Sequence, residues 1–211
     1  MHLHNPANTL RLGVPPERAH AAILLLHGRG SSADEIAGLN SVFKAPGLAF
    51  LAPNATHQTW YPQRFLAPTA QNEPWLSSAL EVIDHLVEEI RTAGLPDERI
   101  GLVGFSQGAC LALEYAARHP RRYGFVAGLS GALIGPLTED RPAFDLQGTP
   151  VLVGCAERDS HIPLEHVEAS IRTLKSAGAD VERQIFPGSA HTVFPAEISW
   201  LASRFVDLPS R

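Results

Sequence analysis

The sequence lacks a cysteine framework, a long apolar run and a signal-like start. Its two cysteines, Cys110 and Cys155, lie in apolar surroundings, which favours two reduced packing residues over a disulfide. No apolar run approaches the length needed to span a bilayer, and the first residues have no basic start followed by an apolar core. These absences predict a cytoplasmic protein with no integral membrane association.

Clusters of positive charge and the common cofactor motifs are also missing. The net charge is −5, and Arg121 and Arg122 form the only adjacent basic pair, so nucleic acid is not an expected partner. The chain contains no G-x-G-x-x-G after a first strand, no Walker-type loop and no H-E-x-x-H. His2 and His4 have no matching ligand cluster, so the sequence implies no metal.

What is present is a globular composition. The chain has 211 residues, of which 45% are hydrophobic and 18% charged, without the depletion of apolar residues that marks disorder. This length suits one sizeable core and is short for two. We therefore expect a single domain over residues 1–211.

Short apolar runs between glycines and prolines predict strands. Most of these runs are apolar on both faces, which a sheet needs only when layers cover both of its sides. We therefore expect a mostly parallel central sheet. The predicted strands are Ala21–Gly28, Gly47–Pro53, Arg99–Phe105, Gly124–Gly131, Thr149–Ala156 and Asp180–Phe186.

Helical spacing alternates with these runs. From Trp75 to Ala93 apolar residues recur on one face, and Gly94 then supplies a stop. Further helices are expected after Ser106, from about 163 to 177, and from 195 to about 206. The alternation predicts a three-layer α/β/α sandwich with a mostly parallel sheet.

Two segments do not fit this alternation. Residues 54–74 form a connection longer than compact domains normally leave without a purpose. It carries Trp60, Tyr61 and Leu66, which either pack the loop onto the body or line a ligand pocket; we nominate them as a substrate-binding wall. The second segment, residues 134–148, is too short to form a separate cap domain.

The stretch "GLVGFSQGACLALEYA" places Ser106 between Gly104 and Gly108, after a predicted strand and before a predicted helix. A G-x-S-x-G turn in this setting exposes a strained serine, and the glycines remove side chains that would clash. The competing reading is a serine that only caps the helix, which leaves the paired glycines unexplained. The pattern favours Ser106 as a nucleophile.

A serine nucleophile needs a base, and position distinguishes among the ten histidines. In this kind of fold the order along the chain is serine, acid, histidine, with the base on the loop after the last strand. His191 in "FPGSAHTVFP" has that place. The other histidines considered lie on helices, on the long loop or before the last strand: His57, His85, His119, His161 and His166.

The acid should lie just past the preceding strand, where "TPVLVGCA" runs into "ERDSHIP". Asp159 lies far enough past the strand for a turn to direct it at a histidine, whereas Glu157 is expected to continue the strand or to face solvent. Asp140 and Asp145 belong to the previous connection and are weaker rivals. We predict Asp159 as the acid.

Acyl transfer also needs donors for the oxyanion of the tetrahedral intermediate. The backbone N–H of Gln107, at the start of a helix, is one candidate. The backbone N–H of Arg29, in the glycine-flanked turn "LLLHGRGSSADE", is the other. His27 in the same turn is expected to be a structural hydrogen-bonding residue rather than a catalyst.

The chain resembles the phospholipase/carboxylesterase family of α/β-hydrolases, which includes the acyl-protein thioesterases. The resemblance covers most of the chain and rests on "LLLHGRGSSADE", "TWYPQRFLAP", "GFSQGA", "ERDSHIP" and "PGSAHTV", in that order. It implies a compact hydrolase without a cap domain and without a cofactor. It also implies that Ser106, Asp159 and His191 form the triad and that Arg29 and Gln107 supply the oxyanion donors.

The resemblance also narrows the substrate. The segment "TWYPQRFLAPTAQNEPW" differs from that of the eukaryotic thioesterases and looks more like bacterial esterases, which favours a small-molecule ester of short to medium acyl chain. Dienelactone hydrolases look somewhat similar but carry cysteine where this chain has Ser106. A thioesterase or lysophospholipase is the alternative within this class, and a non-catalytic binding module on the same fold is the alternative outside it. Monomer and homodimer both remain open.

Overall fold

Seven strands form one sheet in the order β1-β3-β2-β4-β5-β6-β7 in the computed structural model, which describes residues 3–206. All six predicted strands are present, with small differences at their ends. His2 and both ends of the predicted domain, at 1 and 211, lie outside the described residues. The strands are β1 (Thr9–Gly13), β2 (Ala21–Leu26), β3 (Leu48–Pro53), β4 (Ile100–Phe105), β5 (Phe125–Leu129), β6 (Pro150–Ala156) and β7 (Asp180–Phe186).

Strand β1 was not predicted from the sequence. It pairs antiparallel with β3 at one edge of the sheet, whereas every other neighbouring pair is parallel. Its residues Leu10 and Leu12 alternate with polar residues, which is the pattern of a strand with one buried face. The expectation of a mostly parallel sheet is confirmed, with this one antiparallel edge.

Within residues 3–206, four α-helices connect strands and a fifth follows the last strand. The predicted helix from 163 to 177 is one residue shorter at each end, and the last helix ends at Ala202 rather than near Val206. A short helix after β2 was not predicted, and its N-cap Ser32 accepts a hydrogen bond from Glu35 N–H at 3.4 Å. The helices are α1 (Ala33–Ala37), α2 (Trp75–Thr92), α3 (Gln107–Arg118), α4 (Leu164–Ser176) and α5 (Pro195–Ala202).

The helices cover both faces of the sheet, as alternate side chains of the central strand β2 show. Leu24 and Leu26 belong to a core shared with α2, α3 and α4. Ile23 and Leu25 belong to a separate core with residues of α1 and α5. Because successive side chains of a strand point to opposite faces, this split confirms the three-layer α/β/α architecture.

The two irregular segments are ordered by contacts with the body. Residues 54–74 contain two short 3₁₀ turns, Thr56–Gln58 and Thr69–Asn72. The loop of residues 134–148 is held by Glu114 of α3, which is fully buried and accepts hydrogen bonds from Arg118, Arg141 and the Ile134 N–H. A buried carboxylate with three donors fixes this loop against the third helix.

No helix within residues 3–206 is long and apolar enough to cross a membrane.

Glu197 on α5 is the second fully buried glutamate. Its Oε2 accepts the Phe194 N–H at 2.7 Å, while its Oε1 has no hydrogen-bond partner among the described residues. The carboxyl group packs directly on Gly154 of β6, where a Cβ would lie 1.9 Å from Oε1. Burial raises the pKa of Glu197 to about 7, and the Phe194 N–H only partly opposes this.

This raised pKa predicts that the protein is less stable at alkaline pH. The contribution of protonated Glu197 is complete below the ordinary glutamate pKa and is lost as the pH rises through about 7. Replacing it with a residue that cannot ionise, Glu197→Gln, should raise the free energy of unfolding at pH 8 by about 3 kcal/mol. Chemical denaturation between pH 5 and pH 8 measures this difference.

Glu182→Gln, at an exposed position on β7, is the matched control and should leave the pH dependence of wild type unchanged. Parallel pH profiles for wild type and Glu197→Gln would show that burial does not perturb Glu197.

Candidate active site

Ser106 lies in a one-residue turn between β4 and α3. Its φ is 55° and its ψ −117°, a left-handed conformation that non-glycine residues adopt only under strain. The two neighbouring glycines make the turn possible. A Cβ on Gly104 would lie 2.1 Å from the Gly108 oxygen, and one on Gly108 would lie 2.1 Å from the Leu26 oxygen. The turn therefore requires glycine at both positions.

The side chain of Ser106 does not cap the helix, although the residue occupies the N-cap position. Its hydroxyl is 2.8 Å from His191 Nε2 instead. The helix-cap interpretation of the sequence accounts for the position of this serine and not for its hydrogen bond.

His191 lies on the loop between β7 and α5, as the sequence predicts. Its Nδ1 is 2.7 Å from Asp159 Oδ2. A carboxylate only accepts hydrogen bonds, so Nδ1 carries the proton and Nε2 is free to accept the proton of Ser106. The loop is held in place because the Ser130 hydroxyl donates to the Thr192 carbonyl at 3.2 Å.

Asp159 is nearly fully buried and saturated with donors. Its Oδ1 accepts the backbone N–H groups of His161 at 2.8 Å and Ile162 at 3.1 Å, and its Oδ2 faces His191. Burial opposes ionisation, but these hydrogen bonds outweigh it and hold the pKa of Asp159 below its ordinary value. Asp159 is therefore a carboxylate at neutral pH.

The rival acids lie away from this arrangement. Glu157 is exposed, and its backbone N–H continues the pairing with β7 by donating to the Phe186 oxygen at 2.9 Å. Asp140 and Asp145 are exposed on the loop of residues 134–148. Asp145 accepts the Gln147 N–H at 2.8 Å within its own turn.

Among the rival histidines, His161 is the one that contacts the site. Its ring lies 4.6 Å from that of His191, centroid to centroid, and its side chain is exposed. The rings of Phe105 and His191 are 5.0 Å apart. His161 and Phe105 thus pack against the imidazole, and Asp159 and Ser106 hold its two nitrogens.

The two predicted oxyanion donors lie beside the serine. Arg29 and Gln107 both line the cavity that contains Ser106. Gln107 is the first residue of α3, where helix N–H groups have no partner within the helix. Neither the Arg29 N–H nor the Gln107 N–H donates to another residue of the described chain, so both are available to a ligand.

The side chains of the same two residues bind the segment of residues 54–74, here called the aromatic loop, through hydrogen bonds to its backbone. Gln107 accepts the Trp60 N–H at 2.9 Å and donates to the Tyr61 carbonyl at 2.8 Å. The Arg29 guanidinium donates to three consecutive carbonyls, those of Tyr61, Pro62 and Gln63, at 2.8, 3.1 and 2.8 Å. Hydrogen bonds therefore join residues 60–63 of the aromatic loop directly to Arg29 and Gln107, the two predicted oxyanion donors.

His27 has the structural role expected from the sequence. It is fully buried, and its Nε2 accepts the Ala55 N–H at 3.0 Å. Its Nδ1 therefore carries the proton and donates to the Gly28 oxygen at 2.7 Å. Burial lowers the pKa of His27, which keeps the ring neutral.

The cavity beside Ser106 has a volume of about 800 Å³. Its apolar lining has two parts, which belong to the cores on opposite faces of the sheet. One part contains Ile36, Leu39, Phe105 and Val193, and the other contains Tyr61, Phe65, Cys110 and Ile162. An ester has two substituents on either side of its reactive carbonyl, which suits a lining with two parts.

Of the three aromatic-loop residues nominated from the sequence, Tyr61 lines this cavity, whereas Trp60 and Leu66 are not among its described lining residues. Trp60 is fully buried, and its indole N–H donates to the His27 carbonyl at 2.9 Å. Leu66 packs against the main core. For these two residues the structure favours the packing interpretation.

Sequence reasoning missed most of the apolar lining. Ile36 and Leu39 lie on and just after the unpredicted helix α1, and Val193 follows His191 by two residues. The sequence does contain a pattern that could have identified Ile36 and Leu39. They are three residues apart, a spacing that places two side chains on one face of a helix. The apolar surroundings of Cys110 predict only a packing residue, although Cys110 also lines the cavity.

The chain is similar to proteins of the phospholipase/carboxylesterase family, both in sequence and in structure. The model of the phospholipase/carboxylesterase family matches residues 8–207. A phospholipase/carboxylesterase from Dyadobacter fermentans has a solved structure with 39% identity and a TM-score of 0.89, covering 96% of this chain and 97% of that one.

Two sequence relatives bear the names of the activities considered. A probable carboxylesterase of Oryza sativa subsp. japonica is 26% identical, over 88% of this chain and 77% of its own. Acyl-protein thioesterase 1 of Eremothecium gossypii is 28% identical, over 88% of this chain and 87% of its own. These similarities support a carboxylesterase-type enzyme over a non-catalytic binding module.

The Arg29 contacts predict that its side chain stabilises the loop. Replacing it in Arg29→Met keeps the apolar stem and the backbone N–H but removes three charge-assisted hydrogen bonds. We expect the free energy of unfolding to fall by about 1–3 kcal/mol and the amides of residues 58–66 to exchange faster. Hydrogen exchange followed by mass spectrometry measures the local effect.

Arg64→Met is the matched control, because Arg64 lies on the same loop and its side chain makes one hydrogen bond among the described residues, to the His161 carbonyl at 3.2 Å. Equal exchange of residues 58–66 in both variants would contradict a special role for Arg29.

Proposed function

Since this chain belongs to the phospholipase/carboxylesterase family of α/β-hydrolases, we propose that it hydrolyses carboxylic esters through an acyl-enzyme intermediate on Ser106. The observation that carries this proposal is the continuous chain of hydrogen bonds from Ser106 through His191 to Asp159. Arg29 and Gln107 complete the proposed machinery. An enzyme of this type needs no cofactor.

The first step is attack on the ester carbonyl. Ser106 Oγ bonds to the carbonyl carbon while its proton moves to His191 Nε2. The imidazole becomes a cation, which the carboxylate of Asp159 stabilises at 2.7 Å. Because Asp159 keeps its low pKa through three donors, the negative charge is in place before the reaction begins.

The carbonyl oxygen becomes negatively charged in the tetrahedral intermediate. The backbone N–H groups of Arg29 and Gln107 are the proposed donors to this oxyanion, and the start of α3 adds the positive end of a helix dipole. Fixed donors of this kind are worth a factor of about 10²–10³ in rate each.

Collapse of the intermediate breaks the bond to the alkoxy group, which takes the proton from His191 and leaves as an alcohol. A water molecule then attacks the acyl-enzyme, giving its proton to His191. When the second tetrahedral intermediate collapses, the bond between Ser106 Oγ and the acyl carbon breaks, His191 returns the proton to Ser106 Oγ, and the carboxylic acid leaves. The enzyme ends the cycle unchanged.

The proposed substrates are small-molecule esters of short to medium acyl chain. The cavity of about 800 Å³ has an apolar lining in two parts, and residues such as Phe105 and Ile162 offer contact to a chain of several methylenes. A thioester is the second candidate, favoured by the similarity to a thioesterase over most of the chain, because the same triad serves either bond.

Removal of the nucleophile tests the mechanism. Ser106→Ala should reduce hydrolysis of p-nitrophenyl acetate and octanoate to a level near background, and it should abolish covalent labelling by a fluorophosphonate. Ser77→Ala, an exposed serine on α2, is the control and should keep full activity. Equal rates in Ser106→Ala and wild type would refute the proposed nucleophile.

Asp159→Asn tests the role of the carboxylate separately. The backbone N–H groups of His161 and Ile162 would hold the amide oxygen, so the amide NH2 would face His191 Nδ1 and donate to it. This favours the wrong imidazole tautomer, so kcat should fall by about 10⁴. The measurement is kcat for p-nitrophenyl butyrate, with Asp145→Asn as the control at an exposed turn. A loss of tenfold or less would assign the acid to another residue.

The acyl-chain preference follows from the size of the cavity. Each methylene that enters the apolar wall contributes about 0.8 kcal/mol, roughly a fourfold gain in kcat/KM. We expect the gain to continue from p-nitrophenyl acetate to about the octanoate and to stop before the palmitate. A steady rise to palmitate would favour a lipid substrate.

A further inference from the structure

Arg64 is a charged residue of the cavity that the proposed reaction does not use. It is exposed and lines the cavity that contains Ser106. Its side chain makes one hydrogen bond within the described residues, to the His161 carbonyl at 3.2 Å, and no ion pair with them. A guanidinium group carries several N–H donors in one plane, so most of these donors are free to bind a ligand.

The hydrogen bond to His161 fixes where the guanidinium lies. Arg64 belongs to the aromatic loop and His161 to the segment between β6 and α4, and both residues line the cavity. The His161 N–H donates to Asp159 Oδ1 at 2.8 Å, and its ring packs on that of His191. The guanidinium is therefore bound to a residue that itself contacts both the proposed acid and the proposed base.

The backbone around Arg64 is held in place. Asn72, which is fully buried, accepts the Gln63 N–H at 2.8 Å and donates to the Arg64 carbonyl at 3.4 Å. The same carbonyl accepts the Ala67 N–H at 3.0 Å, and the Gln63 carbonyl is bound by Arg29. Because the backbone is fixed, binding a ligand has to order only the side chain of Arg64.

The charges that line the cavity are separated. Apart from the histidines, the ionisable side chains of opposite sign in the described lining are Arg29 and Arg64 against Glu35. Arg29 already binds three carbonyls of the aromatic loop. Glu35 lies on α1 beside Ile36, in the other part of the lining, and accepts the Ser31 hydroxyl. An anion is therefore attracted toward Arg64 and repelled from Glu35.

An apolar surface accompanies the guanidinium. Phe65 follows Arg64 in the chain and Ile162 follows His161, and both side chains belong to the same core and line the cavity. The two segments joined by the hydrogen bond between Arg64 and His161 thus supply an apolar surface and a cation together. This combination suits a hydrocarbon chain that ends in an anion.

We infer that Arg64 binds a carboxylate group of the substrate, and that the protein thereby favours esters with a carboxylate at the end of an apolar chain over neutral esters of the same size. This inference rests on the proposed ester hydrolysis at Ser106. One guanidinium matches the single charge of a carboxylate, whereas a phosphate monoester carries about two charges. The carboxylate has two possible sources, a half-ester of a dicarboxylic acid or an acylated hydroxy acid.

The test removes the guanidinium, in Arg64→Gln, and compares substrates that differ in charge. On the acyl side, the monomethyl esters of glutaric, adipic and suberic acid are each compared with the methyl ester of the corresponding monoamide, which is neutral and of the same size. On the alcohol side, 4-acetoxybutanoate and 6-acetoxyhexanoate are compared with their amides. Dividing the acid-to-amide ratio of kcat/KM in wild type by that in the variant cancels the intrinsic reactivity of each ester.

We expect this acid-to-amide ratio to be about fivefold higher in wild type than in Arg64→Gln for at least one substrate length, because the ion pair lies at a solvent-exposed position. The series that responds identifies which substituent lies beside Arg64. Raising the salt concentration from about 0.05 M to about 0.5 M should bring the wild-type ratio toward that of the variant, since salt screens an exposed pair.

Two further variants separate the site from its structure and from net charge. Arg64→Lys keeps the charge without the planar guanidinium, so its ratio should lie between those of wild type and Arg64→Gln. Arg172→Gln removes a positive charge at an exposed position on α4, outside the described lining of the cavity, and should leave all ratios at the wild-type value. An equal fall of the ratio in Arg172→Gln and Arg64→Gln would contradict a carboxylate site at Arg64.

The negative results have different meanings. If Arg64→Gln hydrolyses the amides and shows the wild-type ratios in both series, the role of Arg64 is overturned and ester hydrolysis stands. The same holds if wild type hydrolyses p-nitrophenyl acetate but none of the carboxylate-bearing esters. If wild type hydrolyses no ester above the Ser106→Ala background, the proposed function fails and the inference about Arg64 fails with it. Amide-ester hydrolysis by Arg64→Gln also shows that the variant is folded.

Discussion

The site depends on how closely helix α3 approaches strand β2. At Gly108 a single added carbon would lie 2.1 Å from the Leu26 oxygen, so the helix backbone rests on the strand backbone with nothing between them. A helix that begins this close to the sheet leaves the chain one residue in which to turn from β4. That residue is Ser106, and its positive φ is the consequence. The strain places the hydroxyl above the strand ends, where the other groups meet it.

The acid and the base reach the serine because of strand order. Strands β4 to β7 are parallel neighbours, so the loops that follow them leave from the same edge of the sheet. Asp159 follows β6 and His191 follows β7. The sheet brings these residues near one another, and hydrogen bonds set the final geometry. The donors from His161 and Ile162 orient the carboxylate, while Ser130 holds the loop of the histidine.

The features that depend on regular periodicity could be predicted from the sequence, and those that depend on a loop's path could not. The meeting of Ser106, Asp159 and His191 followed from strand order, because loop positions at a sheet edge are set by the strands. Trp60 and Tyr61 could not be separated, since neighbouring residues on an irregular loop follow no fixed alternation; one faces the core and the other the cavity. The burial of Glu197 could not be predicted either, because the residue it packs against, Gly154, is distant in the sequence.

Arg29 holds the cavity wall through main-chain oxygens alone. Its guanidinium binds the carbonyls of Tyr61, Pro62 and Gln63, which every amino acid possesses, so the fastening does not depend on which side chains these positions carry. Mutations can accumulate on the inner surface of the loop while its backbone stays in place. The shape of the site can therefore persist while the side chains that line it change.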